Sequence, residues 1–130
     1  MGKQRPDGRS EVKGDLDPEA RAYWKALSEK LAAPGMCNPA DPVPCISGTP
    51  TQEQIAGDTR SLAQRQHDAF KVVCRLILAS GQLGEHNGLP VTVVATTTVT
   101  DLERGAGVAL THTGDRLPIR DLIRMAAQGA

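Results

Sequence analysis

The segment from Ser61 to Gly81 constrains the fold most, because its start, its apolar face and its end can all be identified from the residues. Ser61 and Gln64 have the S-x-x-Q spacing of a capping box, in which each side chain binds a backbone N–H of the other residue. Gly81 is a natural left-handed terminator. Between them, residues at three- and four-residue intervals predict one buried helical stripe: Leu62, Ala69, Phe70, Val73, Leu76, Ile77 and Ser80. The segment predicts a central helix over 61–80.

A second helix is predicted over 18–32. Asp17 can cap its first turn, and Pro18 suits the first helical position. Its apolar stripe would be Ala20, Tyr23, Trp24, Leu27 and Leu31. Five prolines between positions 34 and 58 then disfavour helix and sheet as far as about residue 49, so 34–58 is predicted to be a tether with one helical turn at 51–55.

The second half of the chain predicts smaller elements. Residues 91–99 are all Val, Thr or Ala and predict one strand. Thr100 and Glu103 suggest a capping box for a short helix, residues 107–118 a further strand and turn, and Pro118 the start of a short C-terminal helix. The charged residues 1–13 predict a disordered tail. Together these elements indicate an α+β, mostly helical fold that is an incomplete domain.

Composition excludes several classes of protein. The 15 Lys and Arg balance 15 Asp and Glu, so no net charge drives the chain towards nucleic acid or a membrane surface. The polar N-terminus is not a secretory signal, and no apolar run approaches the roughly 18 residues of a membrane span. Three cysteines without a signal peptide suggest reduced thiols and a cytoplasmic location.

No group of residues predicts a catalytic or metal centre. Cys37 and Cys45 are separated by seven residues and lack the closely spaced cysteine pairs of a zinc site. They are therefore predicted to be ordinary thiols, and a metal-binding or redox pair is the alternative. Cys74 is expected to be a small buried hydrophobe. The adjacent His67 and Asp68 point about 100° apart on a helix, which favours a solvated or interhelical contact over acid–base chemistry. No cofactor is expected.

One weak basic row remains, Arg116, Arg120 and Arg124. Arg120 and Arg124 lie one helical turn apart and are candidate phosphate contacts for DNA. Two aspartates lie among them and no aromatic residue interleaves them, so a solvated helix face is the alternative.

Four strings resemble a known family as whole strings: LAAPGMCNPADPVPCISGTP, DTRSLAQRQHDA, LASGQLGEHNGLPVTVV and RDLIRMA. A fifth, KGDLDPEA, is what survives here of the opening string of that family. They resemble the mycobacterial 13E12 repeat family over about 12–126. Members of that family look like a domain of unknown function, number 222, followed by an HNH endonuclease domain. The resemblance implies that 14–126 is a partial N-terminal domain, that 127–130 is a divergent tail and that the HNH domain is absent.

HNH chemistry needs histidines that activate water and hold a divalent metal. His86 and Asn87 are merely adjacent in a turn, so the resemblance does not carry the nuclease centre into this chain. It therefore implies a truncated protein without catalytic activity, derived from a DNA-acting parent. The alternative is a stand-alone helical module that binds DNA or a protein, and exposed apolar helix faces would allow self-association.

Overall fold

The computed structural model describes residues 1–127. Its helices are α1 (Pro18–Leu31), α2 (Gln52–Ala56), α3 (Leu62–Ala79), α4 (Val99–Arg104) and α5 (Ile119–Ala127). Its strands are β1 (Glu85–His86), β2 (Leu89–Pro90), β3 (Ala95–Thr96), β4 (Val108–Thr111) and β5 (Arg116–Pro118). The α+β, mostly helical class is confirmed. The chain forms two compact units, one of residues 15–77 and one of residues 1–14 with 78–130.

Local capping explains where the helices of unit 15–77 begin. The Asp17 carboxylate accepts a hydrogen bond from the Ala20 N–H at 2.8 Å. At α3 the predicted capping box is present, with Ser61 N–H donating to Gln64 Oε1 at 2.8 Å and Gln64 N–H donating to Ser61 Oγ at 3.2 Å. Thr51 and Gln54 form a second box that starts α2. The predicted starts of the helices are therefore confirmed.

The core of this unit is small. Its buried residues come from the end of α1, the following loop and the middle of α3: Leu31, Ala32, Met36, Cys37, Ala69 and Val72. Trp24 packs against this cluster, but Tyr23 and Leu27 are exposed, so the predicted stripe of α1 is too wide. The predicted stripe of α3 is wrong in its centre, because Phe70 is 55% exposed while Val72 is buried.

The proline-rich loop between α1 and α2 folds back on itself. Met36 and Cys45 form an isolated parallel bridge, in which the Cys37 N–H donates to the Cys45 carbonyl at 2.8 Å. Gly35 has a φ of +85°, and a Cβ there would lie 3.0 Å from Ile55 Cγ1. Positive φ and this close approach both require glycine.

The other unit contains a two-stranded and a three-stranded antiparallel sheet. β1 and β2 pair through a two-residue turn at Asn87 and Gly88, whose positive φ angles are those of a type I′ hairpin. In the second sheet β4 lies between β3 and β5. The predicted strand over 91–99 is confirmed only at Ala95–Thr96, where β4 pairs with it. It is shorter because α4 already begins at Val99.

Two helices complete this unit. The Thr98 hydroxyl accepts from the Asp101 N–H and caps α4, so the box predicted at Thr100 and Glu103 is wrong by two residues. The predicted second strand and C-terminal helix are confirmed, and Ile119 at the start of α5 is fully buried. Of the tail predicted at 127–130, residues 128–130 lie outside the described residues.

Residues 1–13 contain no helix or strand, but they contact the sheet of the same unit. The Gln4 side chain donates to the Arg116 carbonyl and accepts from the Arg116 N–H, both at 2.8 Å. The amide therefore binds the backbone of β5 as a neighbouring strand would. The disorder of residues 1–13 stays a prediction.

Candidate functional site

The most elaborate polar arrangement in the described residues surrounds Arg60, just before α3. Its Nε donates to Asp58 Oδ1 at 3.0 Å and its Nη2 to Asp58 Oδ2 at 2.8 Å. Its Nη1 donates to Asp68 Oδ2 at 2.9 Å. The two remaining donors reach the carbonyls of Met36 at 2.6 Å and Cys37 at 3.2 Å. All five N–H donors of the guanidinium are therefore used inside the protein.

Asp58 is the most deeply buried member of this arginine–aspartate cluster (Asp58, Arg60 and Asp68). Its side chain is 0% exposed, against 11% for Arg60. Asp58 Oδ2 also accepts from the Gly35 N–H at 2.7 Å. Hydrogen bonds from the Arg60 side chain hold the pKa of Asp58 well below its usual range, and the Gly35 N–H acts in the same direction. The carboxylate thus stays ionised and joins the loop to the start of α3.

Arg65 connects the same elements one turn further along α3. Its Nε donates to the Ala32 carbonyl at 2.9 Å and its Nη1 to the Arg60 carbonyl at 3.1 Å. Ala32 is the C-cap of α1, where carbonyls lack helical partners. Arg65 therefore fixes the end of α1 against the beginning of α3.

The cluster is built to hold the fold and offers no free donor to a substrate. Its arginine is saturated, and its bidentate pair with Asp58 has the geometry that positions side chains most strongly. A ligand anion at Arg60 would have to displace a buried carboxylate. The contact of His67 Nδ1 with Asp68 Oδ1 at 3.2 Å lies at the exposed edge of the cluster. We predicted a solvated or interhelical contact for His67 and Asp68. Asp68 instead binds Arg60, in the segment before its own helix.

The three arginines predicted to contact DNA differ in the partners that their side chains have. Arg124 pairs with Asp121 at 3.2 Å, and the Arg116 Nη2 donates to the Arg5 carbonyl at 2.8 Å. Arg120 is exposed on α5 and has no hydrogen-bond or ion-pair partner among residues 1–127. Within the described part of the chain, one of the three cations thus has no competing protein partner.

The cysteines differ in their surroundings. Cys37 is 4% exposed and has a φ of +53°, and burial raises the pKa of its thiol. Cys45 is half-buried, and its Sγ donates to the Ser47 carbonyl. Cys74 is exposed, so its prediction as a buried hydrophobe is wrong: the loop of this unit covers the opposite side of α3. Within the described part of the chain, no three His, Cys, Asp or Glu residues are grouped to hold a metal ion.

A hydrophobic surface runs along α3. It comprises Leu62, Phe70, Val73 and Leu76, which share a sector of about 120° at the helical 100° per residue. Leu62 is 56% exposed and Leu76 46% exposed, while Val73 is half-buried against the core. The Phe70 ring meets the edge of the Trp24 ring at 6.2 Å between centroids. We call these four residues the apolar face of α3.

Comparison with known proteins decides the family. The model of the domain of unknown function DUF222 matches residues 1–130. This chain belongs to the DUF222 family. It is similar to the uncharacterized protein Rv1128c of Mycobacterium tuberculosis H37Rv, with 52% identity over 97% of this chain and 28% of that protein. It is 53% identical to the uncharacterized protein Mb1179c of Mycobacterium bovis, over 98% of this chain and again 28% of the relative.

The DUF222 relatives are therefore much longer than the region they share with this chain, which spans about 28% of their length. No solved structure matches the chain significantly. None of the described helices is both long enough and apolar enough to cross a membrane.

Sequence reasoning missed Asp58 and Arg60, although both lie in one of the strings that carry the family resemblance. A usable signal was present. Two opposite charges, two residues apart, lie directly before a capping box and after a loop rich in proline, whose carbonyls lack regular partners. Arginine is the side chain best suited to bind several such carbonyls at once.

Proposed function

We propose that this chain is a non-catalytic part of a DUF222 protein and that its function is to pack against other parts of such a protein. One observation carries the proposal: the apolar face of α3 is exposed although the adjoining side of the same helix is firmly fixed. Three of its large side chains are about half exposed. Exposed apolar patches beside an ordered core commonly mark interaction sites.

The occupant we propose is the portion of a longer DUF222 chain outside the shared region. The relatives align with this chain over only about 28% of their length, so a large further segment accompanies this region in them. Covering Leu62, Phe70 and Leu76 would remove apolar surface from water, at roughly 25 cal/mol per Å². The cluster around Arg60 supports this role, because it orients α3 and leaves Leu62, Phe70 and Leu76 exposed beside the covered side of the helix.

Hydroxyl-radical footprinting tests the occupant. The α3 segment is compared in this chain alone and in full-length Rv1128c, with labelled positions located by mass spectrometry. We expect the apolar face to be labelled strongly in the isolated chain and to be protected in the longer relative. Equal labelling in both proteins would overturn the proposed occupant.

Sedimentation velocity tests whether a second copy covers the same surface. If the face drives association, the sedimentation coefficient rises with concentration and Leu62→Ser with Phe70→Ser abolishes the rise. Val94→Ser is the matched control, since Val94 is equally exposed and lies in the other unit. A rise that survives the double substitution would place self-association elsewhere on the chain.

A second candidate function is DNA contact through Arg116, Arg120 and Arg124, and it rests on the exposed side chain of Arg120, which has no partner among residues 1–127. The resemblance to a family with HNH endonucleases makes DNA the natural substrate of the parent protein. In a salt titration with duplex DNA, each arginine that contacts phosphate contributes about one to the slope of log affinity against log salt. Arg120→Gln should lower that slope by about this amount. An affinity that does not change between about 50 and 200 mM salt would exclude the contact.

A further inference from the structure

The loop that follows α1 brings two cysteines together. The Cys37 N–H donates to the Cys45 carbonyl at 2.8 Å, beside the Met36–Cys45 bridge. Neighbouring hydrogen-bonded backbones lie about 4.8 Å apart in the hydrogen-bonding direction. Disulfides form at Cα separations of about 4.4–6.8 Å. The hydrogen bond therefore holds the backbones of Cys37 and Cys45 close enough for a disulfide to form.

The side chains lie in the same environment. Cys37 belongs to the buried core cluster, and Cys45 packs against that cluster. Both thiols are free in the structure, and the Sγ of Cys45 is bound only by donating to the Ser47 carbonyl at 3.1 Å. Rotation of Cys45 about χ1 breaks one weak S–H hydrogen bond. Pro39, Pro42 and Pro44 fix φ at three positions of the intervening chain, which reduces the conformational entropy lost when the loop closes.

We propose that Cys37 and Cys45 form a reversible disulfide that closes the proline-rich loop, with a low-molecular-weight disulfide as oxidant. The half-buried Cys45 thiolate attacks one sulfur of the oxidant and releases one small thiol. The Cys37 thiol loses its proton, attacks the Cys45 sulfur of the mixed disulfide and releases the second small thiol. Two protein thiols are oxidised to one disulfide, and one small disulfide is reduced to two thiols.

This assignment is independent of the apolar face of α3. The exposed Cys74 is the thiol that would form bonds between chains, because it lies on the surface. Its removal by Cys74→Ser therefore leaves the 37–45 pair as the sole intramolecular possibility. The modified loop keeps the carbonyls of Met36 and Cys37 that Arg60 binds, so oxidation is compatible with the arginine–aspartate cluster.

The test titrates the Cys74→Ser chain with mixtures of reduced and oxidised glutathione, quenches with acid and measures intact mass and peptide maps. We expect a linked peptide containing Cys37 and Cys45, with a mass loss of about two hydrogens. The equilibrium constant should be at least tenfold larger for the folded chain than for the same chain in urea. Cys45→Ser should remove the linked peptide and leave the folded spectrum unchanged.

Two results would overturn the proposal. One is a folded chain that stops at a glutathione adduct on Cys45 or keeps both thiols. The other is an equal equilibrium constant in the folded and the urea-unfolded chain, since a nine-residue peptide with two cysteines can close without the fold. The comparison with the unfolded chain also remains decisive if Cys45→Ser fails to fold.

Discussion

Replacement of Arg60 by methionine tests the role of the arginine–aspartate cluster directly. Methionine keeps much of the apolar length of arginine but removes five donors. Asp58, whose side chain is 0% exposed, then keeps only the backbone N–H groups of Gly35 and residue 60 as partners. The carbonyls of Met36 and Cys37 also lose the contacts that Arg60 makes. The substitution therefore leaves a buried charge without its counter-ion.

The expected cost is large for a unit of this size. Removal of one partner from a buried ion pair costs about 3–5 kcal/mol. Domains are stable by roughly 0.05–0.15 kcal/mol per residue, so this loss is comparable with the whole stability of residues 15–77. We expect Arg60→Met to lack a cooperative urea transition or to unfold at a much lower midpoint. Trp24 fluorescence is the measurement, because Trp24 packs on the core of this unit.

The matched control is an exposed ion pair of the other unit. Arg104 Nη2 contacts Asp101 Oδ1 at 3.0 Å, and the Arg104 side chain is 63% exposed. Exposed helical pairs contribute about 0.3–0.5 kcal/mol, so Arg104→Met should leave the Trp24 transition unchanged. The reasoning is refuted if Arg60→Met unfolds at the wild-type midpoint, or if both substitutions shift it equally.

Local geometry predicts the effects of three further substitutions and of one control substitution. Asp58→Asn should be less stable at pH 7, and its stability should fall less at acid pH. The lowered pKa of Asp58 gives the folded protein stability above the unfolded-state pKa of about 3.9, and this stability is lost as pH falls further. A pH series of urea titrations measures this loss. Gly35→Ala should destabilise the fold by about 2–4 kcal/mol, because of the positive φ and the close contact with Ile55. Gly48 also has a positive φ but lies in open space, so Gly48→Ala should cost only about 1–2 kcal/mol. Equal shifts of the two melting temperatures would contradict this difference. Thr51→Ala should cost about 0.5–2 kcal/mol by removing the capping box of α2, measured by circular dichroism melting.

The starts of α1 and α3 could be predicted because their causes lie within four residues. At Ser61 the capping partners are three positions apart, so the sequence contains the whole interaction. The strand at 91–99 could not be placed in the same way, because a ladder also needs a partner. β4 pairs with Ala95 and Thr96, and the Thr98 cap then turns the chain into α4. High β propensity beyond those residues has no strand to pair with.

The buried side of α3 was beyond prediction for a different reason. An amphipathic pattern assumes that apolar residues determine which side faces the protein. Here the loop after α1 presents carbonyls to α3, and charged side chains satisfy them. Arg65 and Asp68 therefore lie on the covered side of the helix, while Phe70 lies outside. The identity of those carbonyls depends on the loop conformation, which the prolines restrict but do not specify.

The placement of charged side chains on the covered side of α3 explains why this ordered helix leaves large apolar side chains exposed. The core cluster has only six buried residues, and three of them (Ala32, Cys37 and Ala69) are small, so it buries little apolar area. Arg60, whose N–H donors are all used, fixes the conformation of the loop. Ion-paired groups of this kind add less stability than an apolar core of equal volume. The apolar face beside the covered side of α3 is consequently a source of stabilisation that this unit has not used. A segment that covers Leu62, Phe70 and Leu76 would add hydrophobic burial to a helix whose orientation is already fixed, and would therefore lose little conformational entropy on the side of this chain.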